Sequence, residues 1–91
     1  MSDVIIRPED VRQFSNSLSS LGNRLQSEMA RARGQLNALG ETYRDQSYQH
    51  FVNEFGNAQQ NIERFRQEVD RFVNFLNRKA TTAEAVRQVR L

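Results

Sequence analysis

The residues able to do chemistry in this chain are few and lie together. His50 is the only histidine, and Tyr43, Asp45 and Ser47 stand close before it. A histidine acting as general base needs an oriented partner and a cleft. The polar stretch Y-R-D-Q-S-Y-Q-H-F, Tyr43 to Phe51, reads as a chain reversal, and a reversal has no cleft. Ser47 lacks the flanking glycines of a nucleophile elbow and suits the start of a helix better than catalysis. With no cysteine there is no disulfide framework, thiol nucleophile or thiolate site. One histidine with scattered Asp and Glu assembles no metal site, and no phosphate loop, dinucleotide fingerprint or calcium loop occurs. The residues therefore predict no enzyme, no cofactor, no metal and no small-molecule substrate. What remains at Tyr43–Phe51 is the chemistry of a turn: an aromatic ring and a capping carboxylate.

The elements that hold this turn follow from apolar spacing. After it, Tyr48, Phe51, Phe55, Ala58, Ile62, Phe65, Val69, Phe72 and Leu76 alternate steps of three and four. That is the 3.5-residue period of packed helices. Before it, Val11, Phe14, Leu18, Leu21, Leu25, Met29, Ala32, Leu36 and Leu39 do the same, except for a second four-residue step into Met29. Such a stutter unwinds a supercoil locally without breaking the helix. Gly22 and Gly34 fall inside the first helix and off this stripe, as close-approach points or as tolerated residues. The fold class is all-α, an antiparallel helix-turn-helix hairpin. Leu18, Leu21, Leu25, Phe55, Ile62, Phe65, Val69 and Phe72 are the expected core and dimer stripe. One hairpin cannot cover its phenylalanines from both sides, so two are expected to pair into a four-helix bundle dimer.

Boundaries come from local signals. Residues 1–7 read as an extended arm, with Val4, Ile5 and Ile6 lying against the first helix. Pro8 suits a first helical position, and Glu9 and Asp10 follow where carboxylates complement free N–H groups. The first helix is expected over 8–39 and the turn over 40–45, with Gly40 as a left-handed C-terminal cap. Asp45 is the expected N-cap of a second helix over 46–78. Each arm would be roughly 48 Å long. Residues 79–91 read as a basic tail, in which Thr81-x-x-Glu84 has the form of a capping box for a short helix.

The 91 residues allow one domain, and 37% hydrophobic content is largely committed to the two stripes. The net charge is +2, from a near-neutral body and residues 78–91, which carry Arg78, Lys79, Arg87 and Arg90 against Glu84. This reads as a solvated helix end, the alternative being contact with an acidic partner or nucleic acid. No stretch has the length of a membrane span or the apolar region of a secretory signal.

The turn and its surroundings resemble a known family. Tyr43-x-Asp45-x-Ser47-x-x-x-Phe51 is similar to the W-x-G turn, followed by a small residue and Phe, of the WXG family. These are the early-secreted-antigen-like hairpins of type VII secretion. Ile5-x-Arg7-Pro8-Glu9-Asp10-Val11 resembles that family's start of helix one. Here Tyr43 stands for Trp and Asp45 for Gly. The family's second export element, Y-x-x-x-[DE], has no counterpart, since Phe75 is followed four residues on by Lys79.

The resemblance implies a non-enzymatic interaction protein, dimerising with itself or a paralogous hairpin. It would be a substrate or adaptor of a type VII-like secretion system, cytoplasmic before export and secreted without a classical signal peptide. Tyr43, Asp45, Ser47 and Phe51 would contribute to a recognition surface, and the tail would carry any address read by a secretion ATPase. A structural subunit of a needle-like helical assembly is the alternative, though those hairpins turn through prolines absent here. An Arg-rich nucleic-acid-binding coiled coil is a third reading, opposed by arginines interspersed with Glu and Gln.

Overall fold

The computed structural model describes residues 6–89, and Val4, Ile5, Arg90 and Leu91, which belong to the expected arm and tail, lie outside them. Helix α1 runs Pro8–Leu39 and α2 runs Gln46–Val89, antiparallel and packed in one layer. The molecule measures 68 × 26 × 14 Å. Among the described residues there is no strand.

Helix α1 starts as its sequence dictates. Arg7 is extended and offers no side-chain cap, so the start rests on Pro8 and on Glu9 and Asp10 in the first turn. The amides of Asp10 and Val11 donate to the Arg7 carbonyl at 3.0 and 3.1 Å.

The seam between the helices differs from the apolar stripe. Pro8, Ser15, Gly22, Met29 and Leu36 form one heptad line on α1, and Val11, Leu18, Leu25, Ala32 and Leu39 form the next. All of them are buried or half-buried except Leu39, at the turn end. These two lines alternate three and four without interruption, so the expected stutter at Met29 is absent. The stutter arose from counting only apolar residues. Ser15 and Gly22 are seam positions, and the count stepped over them to Phe14 and Leu21, which face outward.

On α2 the seam is Val52, Gln59, Arg66, Val73 and Ala80 beside Tyr48, Phe55, Ile62, Val69, Leu76 and Ala83, again all buried or half-buried. The small α1 residues let the helices come close. An added Cβ on Gly22 would sit 3.7 Å from Val69 Cγ1 and 3.8 Å from Arg66 Cγ. Val69, at 3% exposure, is the best-buried member of the expected core stripe. Phe65 and Phe72 remain 45% exposed, and Leu21 is exposed too.

Helix α2 also continues where a break was expected. It passes Arg78 and runs to Val89. Residues 79–89 contain neither Gly nor Pro and are rich in alanine, so nothing ends the helix. Ala80 is fully buried, which anchors the extension to α1. Thr82 donates its hydroxyl to the Arg78 carbonyl at 3.0 Å, a back-bond made inside a continuing helix. Thr81 and Glu84 engage Arg12: the guanidinium donates to Thr81 Oγ1 at 3.1 Å and to the two Glu84 carboxylate oxygens at 3.1 and 2.7 Å. Arg87 pairs with Glu9 at 3.3 Å beyond it.

Two seam substitutions should raise stability. Ser15 is 1% exposed and its hydroxyl finds no partner, so Ser15→Ala removes an unpaired polar group without changing the fit. We expect a gain of about 1 kcal/mol. Gly22→Ala adds a methyl at ordinary contact distance and should contribute about 0.5–1 kcal/mol through helix propensity. Chemical denaturation of both variants checks this, and a loss on Gly22→Ala would mean that the helices pack more tightly than described.

Candidate docking face and hairpin tip

The tip is built by hydrogen bonds between the end of α1 and the start of α2. Past Leu39 the chain winds on in tight turns, the amides of Glu41, Thr42 and Tyr43 donating to Ala38, Leu39 and Leu39 carbonyls at 2.9–3.1 Å. Gly40 has φ −65° and ψ −12°, right-handed helical values, so the expected left-handed cap does not form. Its glycine is needed for space instead. Tyr48 reaches back over it and donates its hydroxyl to the Leu36 carbonyl at 2.8 Å. A Cβ on Gly40 would stand 2.7 Å from Tyr48 Cζ and closer still to the hydroxyl. Arg44 Nε donates to the Gly40 carbonyl at 2.7 Å.

Asp45 is the N-cap of α2. Its Oδ1 accepts from the Tyr48 amide at 2.8 Å and its carbonyl from the Gln49 amide at 3.1 Å. Oδ2 accepts the Tyr43 hydroxyl at 2.6 Å. That hydroxyl, and next the Tyr48 amide, hold the Asp45 carboxyl below its ordinary range, while Asp45 pushes the Tyr43 phenol up. Of the four turn residues singled out in the sequence, Tyr43 and Asp45 are thus brought together. Ser47 is exposed in the first turn of α2, as is His50 further on. Phe51 lies away from this network, its ring 6.1 Å from that of Phe55. The Gly40–Tyr48–Leu36 contact was missed. Its only signal is a glycine at a helix end followed by an aromatic at the next helix start.

The two flanks of the seam have opposite character. Arg12, four residues after Pro8, meets Glu84, four after Ala80, which fixes one flank. Arg33 lies on that flank too, donating to Gln59 at 3.4 Å with its guanidinium carbon 6.0 Å from the Phe55 ring centre. The other flank therefore carries the residues one before each seam position. They are Phe14 and Leu21 from α1 and Phe51, Phe65 and Phe72 from α2, all exposed. Phe75 widens it, stacked on Phe72 with ring centres 6.0 Å apart and Lys79 Nζ 5.4 Å from the Phe75 ring. A groove of about 380 Å³ lined by Leu21, Arg24, Leu25, Ser27 and Glu28 opens beside it. Along α2 the face is apolar from Phe51 to Phe72, and among the described residues nothing covers it.

Residues 3–87 match the family WXG100, described as proteins of 100 residues with WXG. The chain belongs to this family. The hairpin is similar to solved structures of the secreted protein EsxB from Bacillus anthracis. The wild-type EsxB crystal structure is 20% identical, covers 92% of this chain and 97% of its own, and superposes with TM-score 0.77. The selenomethionine-labelled form gives 20% identity, 94% and 98% coverage, and TM-score 0.78. No curated protein matches the chain in sequence. In this WXG100 chain the tip is closed by the hydrogen bond from Tyr43 to Asp45. Among the described residues no helix is long and apolar enough to cross a membrane.

The tip carries an acid-sensitive bond. A carboxylate whose folded pKa is lowered stabilises the fold above its unfolded pKa, and the contribution is lost as pH falls through the folded value. Glu84 and Glu9, lowered by Arg12 and Arg87, behave alike. Thermal stability should therefore hold on acidification to about pH 5 and fall below about pH 4. Asp45→Asn removes one of these groups and should make the acid-side fall shallower. Equal slopes for both proteins would contradict the assignment.

Proposed function

We propose that this hairpin is a non-enzymatic interaction protein that works as a dimer and is a substrate or adaptor of a type VII-like secretion system. The observation that carries the reading is the uncovered apolar face of Phe14, Leu21, Phe65, Phe72 and Phe75. Half-exposed phenylalanines on one continuous face mark a surface made for another protein. A second hairpin, the same chain or a paralogue, has the length and shape to cover it and complete a four-helix bundle. Family membership and the likeness to secreted EsxB support an exported protein. In this reading Tyr43, Asp45, Ser47 and Phe51 contribute to the recognition surface. The α2 extension, held to α1 by Arg12, would be offered to a secretion ATPase as helix.

Covering half of a phenylalanine contributes about 1 kcal/mol. Phe65→Ala should therefore leave each hairpin folded but weaken a homodimer, which loses the contribution at both copies, by roughly thirtyfold. Light scattering across a dilution series reads this directly. A strictly monomeric wild type at high concentration would contradict the homodimer and leave only pairing with a paralogue, and growth into filaments would contradict both. For export, Tyr43→Ala and Asp45→Ala can be followed into the medium of the native host. Normal folding with loss of export would make these residues recognition elements, and loss of export only in step with stability would make them architecture alone.

A further inference from the structure

The outward face of α2 segregates its charge. Along the line pointing away from α1, Arg64, Arg71 and Arg78 recur every seven residues, about 10.5 Å apart along the axis. The adjacent line carries the amides Gln60, Gln67 and Asn74, and no carboxylate occurs on either line from Asn53 to Thr81. The acids of α2 stand on other lines: Glu63, Asp70 and Glu84 flank the seam, and Glu54 and Glu68 lie between the arginine line and the phenylalanine face. Every arginine and amide named is exposed. Arg64 is bonded to Asn61, and Arg71 to Glu68 one turn before it. Both partners are exposed, so these local pairs exchange readily for an external acid. The same two lines of α1, with Asn16, Ser20, Asn23 and Ser27, carry no arginine, and Arg24 and Arg31 stand on the line beside them.

We propose that this arginine ladder is a second docking surface, taking an acidic helix of a partner protein while the phenylalanine face is occupied by the dimer mate. The ladder line lies about 100° round α2 from the line of Phe65 and Phe72, so both surfaces are open at once. Carboxylates repeating at helical spacing on the partner match arginines in a single row, and the amides beside them satisfy its remaining polar groups. A single row with a chain net charge of +2 is a weak polyanion binder, which favours a protein partner over nucleic acid.

The test is fluorescence anisotropy of the full chain with a labelled glutamate-rich helical peptide, against a DNA duplex of equal charge. Salt-sensitive peptide binding is expected, weakened at least tenfold in Arg64→Gln/Arg71→Gln/Arg78→Gln. The charge-matched control Arg7→Gln/Arg24→Gln/Arg31→Gln should bind within twofold of wild type. Equal loss in both triples would reduce the effect to net charge and overturn the proposal, as would absent peptide binding or a preference for DNA. Light scattering on the ladder triple keeps the dimer question separate, because its oligomeric state should match that of wild type.

Discussion

The close approach of α1 to α2 at Pro8, Ser15 and Gly22 is the constraint on which the rest of the molecule depends. Small residues on one helix let Val69 and Ala80 of the other sink to near-complete burial. This fixes the rotation of both helices about their axes. Once it is set, the phenylalanines one position earlier in each heptad must point to a flank. The apolar face is therefore a consequence of where the small residues stand. A leucine at position 15 or 22 would push the helices apart and favour a different rotation, with Phe14 and Leu21 drawn inward.

The two ends of the hairpin hold this arrangement by different means. At the tip the constraint is short-range and polar: Asp45 caps α2, Tyr43 closes on Asp45, and Tyr48 ties α2 back to the last turn of α1 through the space above Gly40. At the open end it is a side-chain clamp, Arg12 on Thr81 and Glu84 with Glu9 on Arg87, placed over buried Ala80. Exposed ion pairs of this kind contribute little individually. Their effect is positional, keeping the last turns of α2 helical and beside α1 instead of free.

Much of this was legible in the sequence because the signals were local. Pro8 with Glu9 and Asp10 marks the start of α1, and Asp45 marks the start of α2, since capping is decided within a few residues. The 3.5-residue period established two helices and a short antiparallel connection. The seam was not legible by the same route, because Ser15, Gly22, Gln59 and Arg66 occupy it without being apolar. A count of apolar residues follows one seam line and one flank line and reports them as a single stripe. The α2 extension was hidden by a threonine pair and a capping-box pattern, whose meaning changed once Arg12 reached across to it. Gly40 misled because left-handed caps are the usual reason for a helix-end glycine, whereas here the reason is the Tyr48 ring.

In our proposal the small-residue line lies inside each hairpin while the neighbouring aromatic line faces a second molecule. The chain has no native cysteine, so thiol labelling of Ser15→Cys and Phe14→Cys over a dilution series tests it directly. Ser15→Cys should stay protected at every concentration, while Phe14→Cys should react fast when dilute and slow as the protein is concentrated. Fast labelling of Ser15→Cys, or protection of Phe14→Cys in dilute, folded protein, would contradict the proposal.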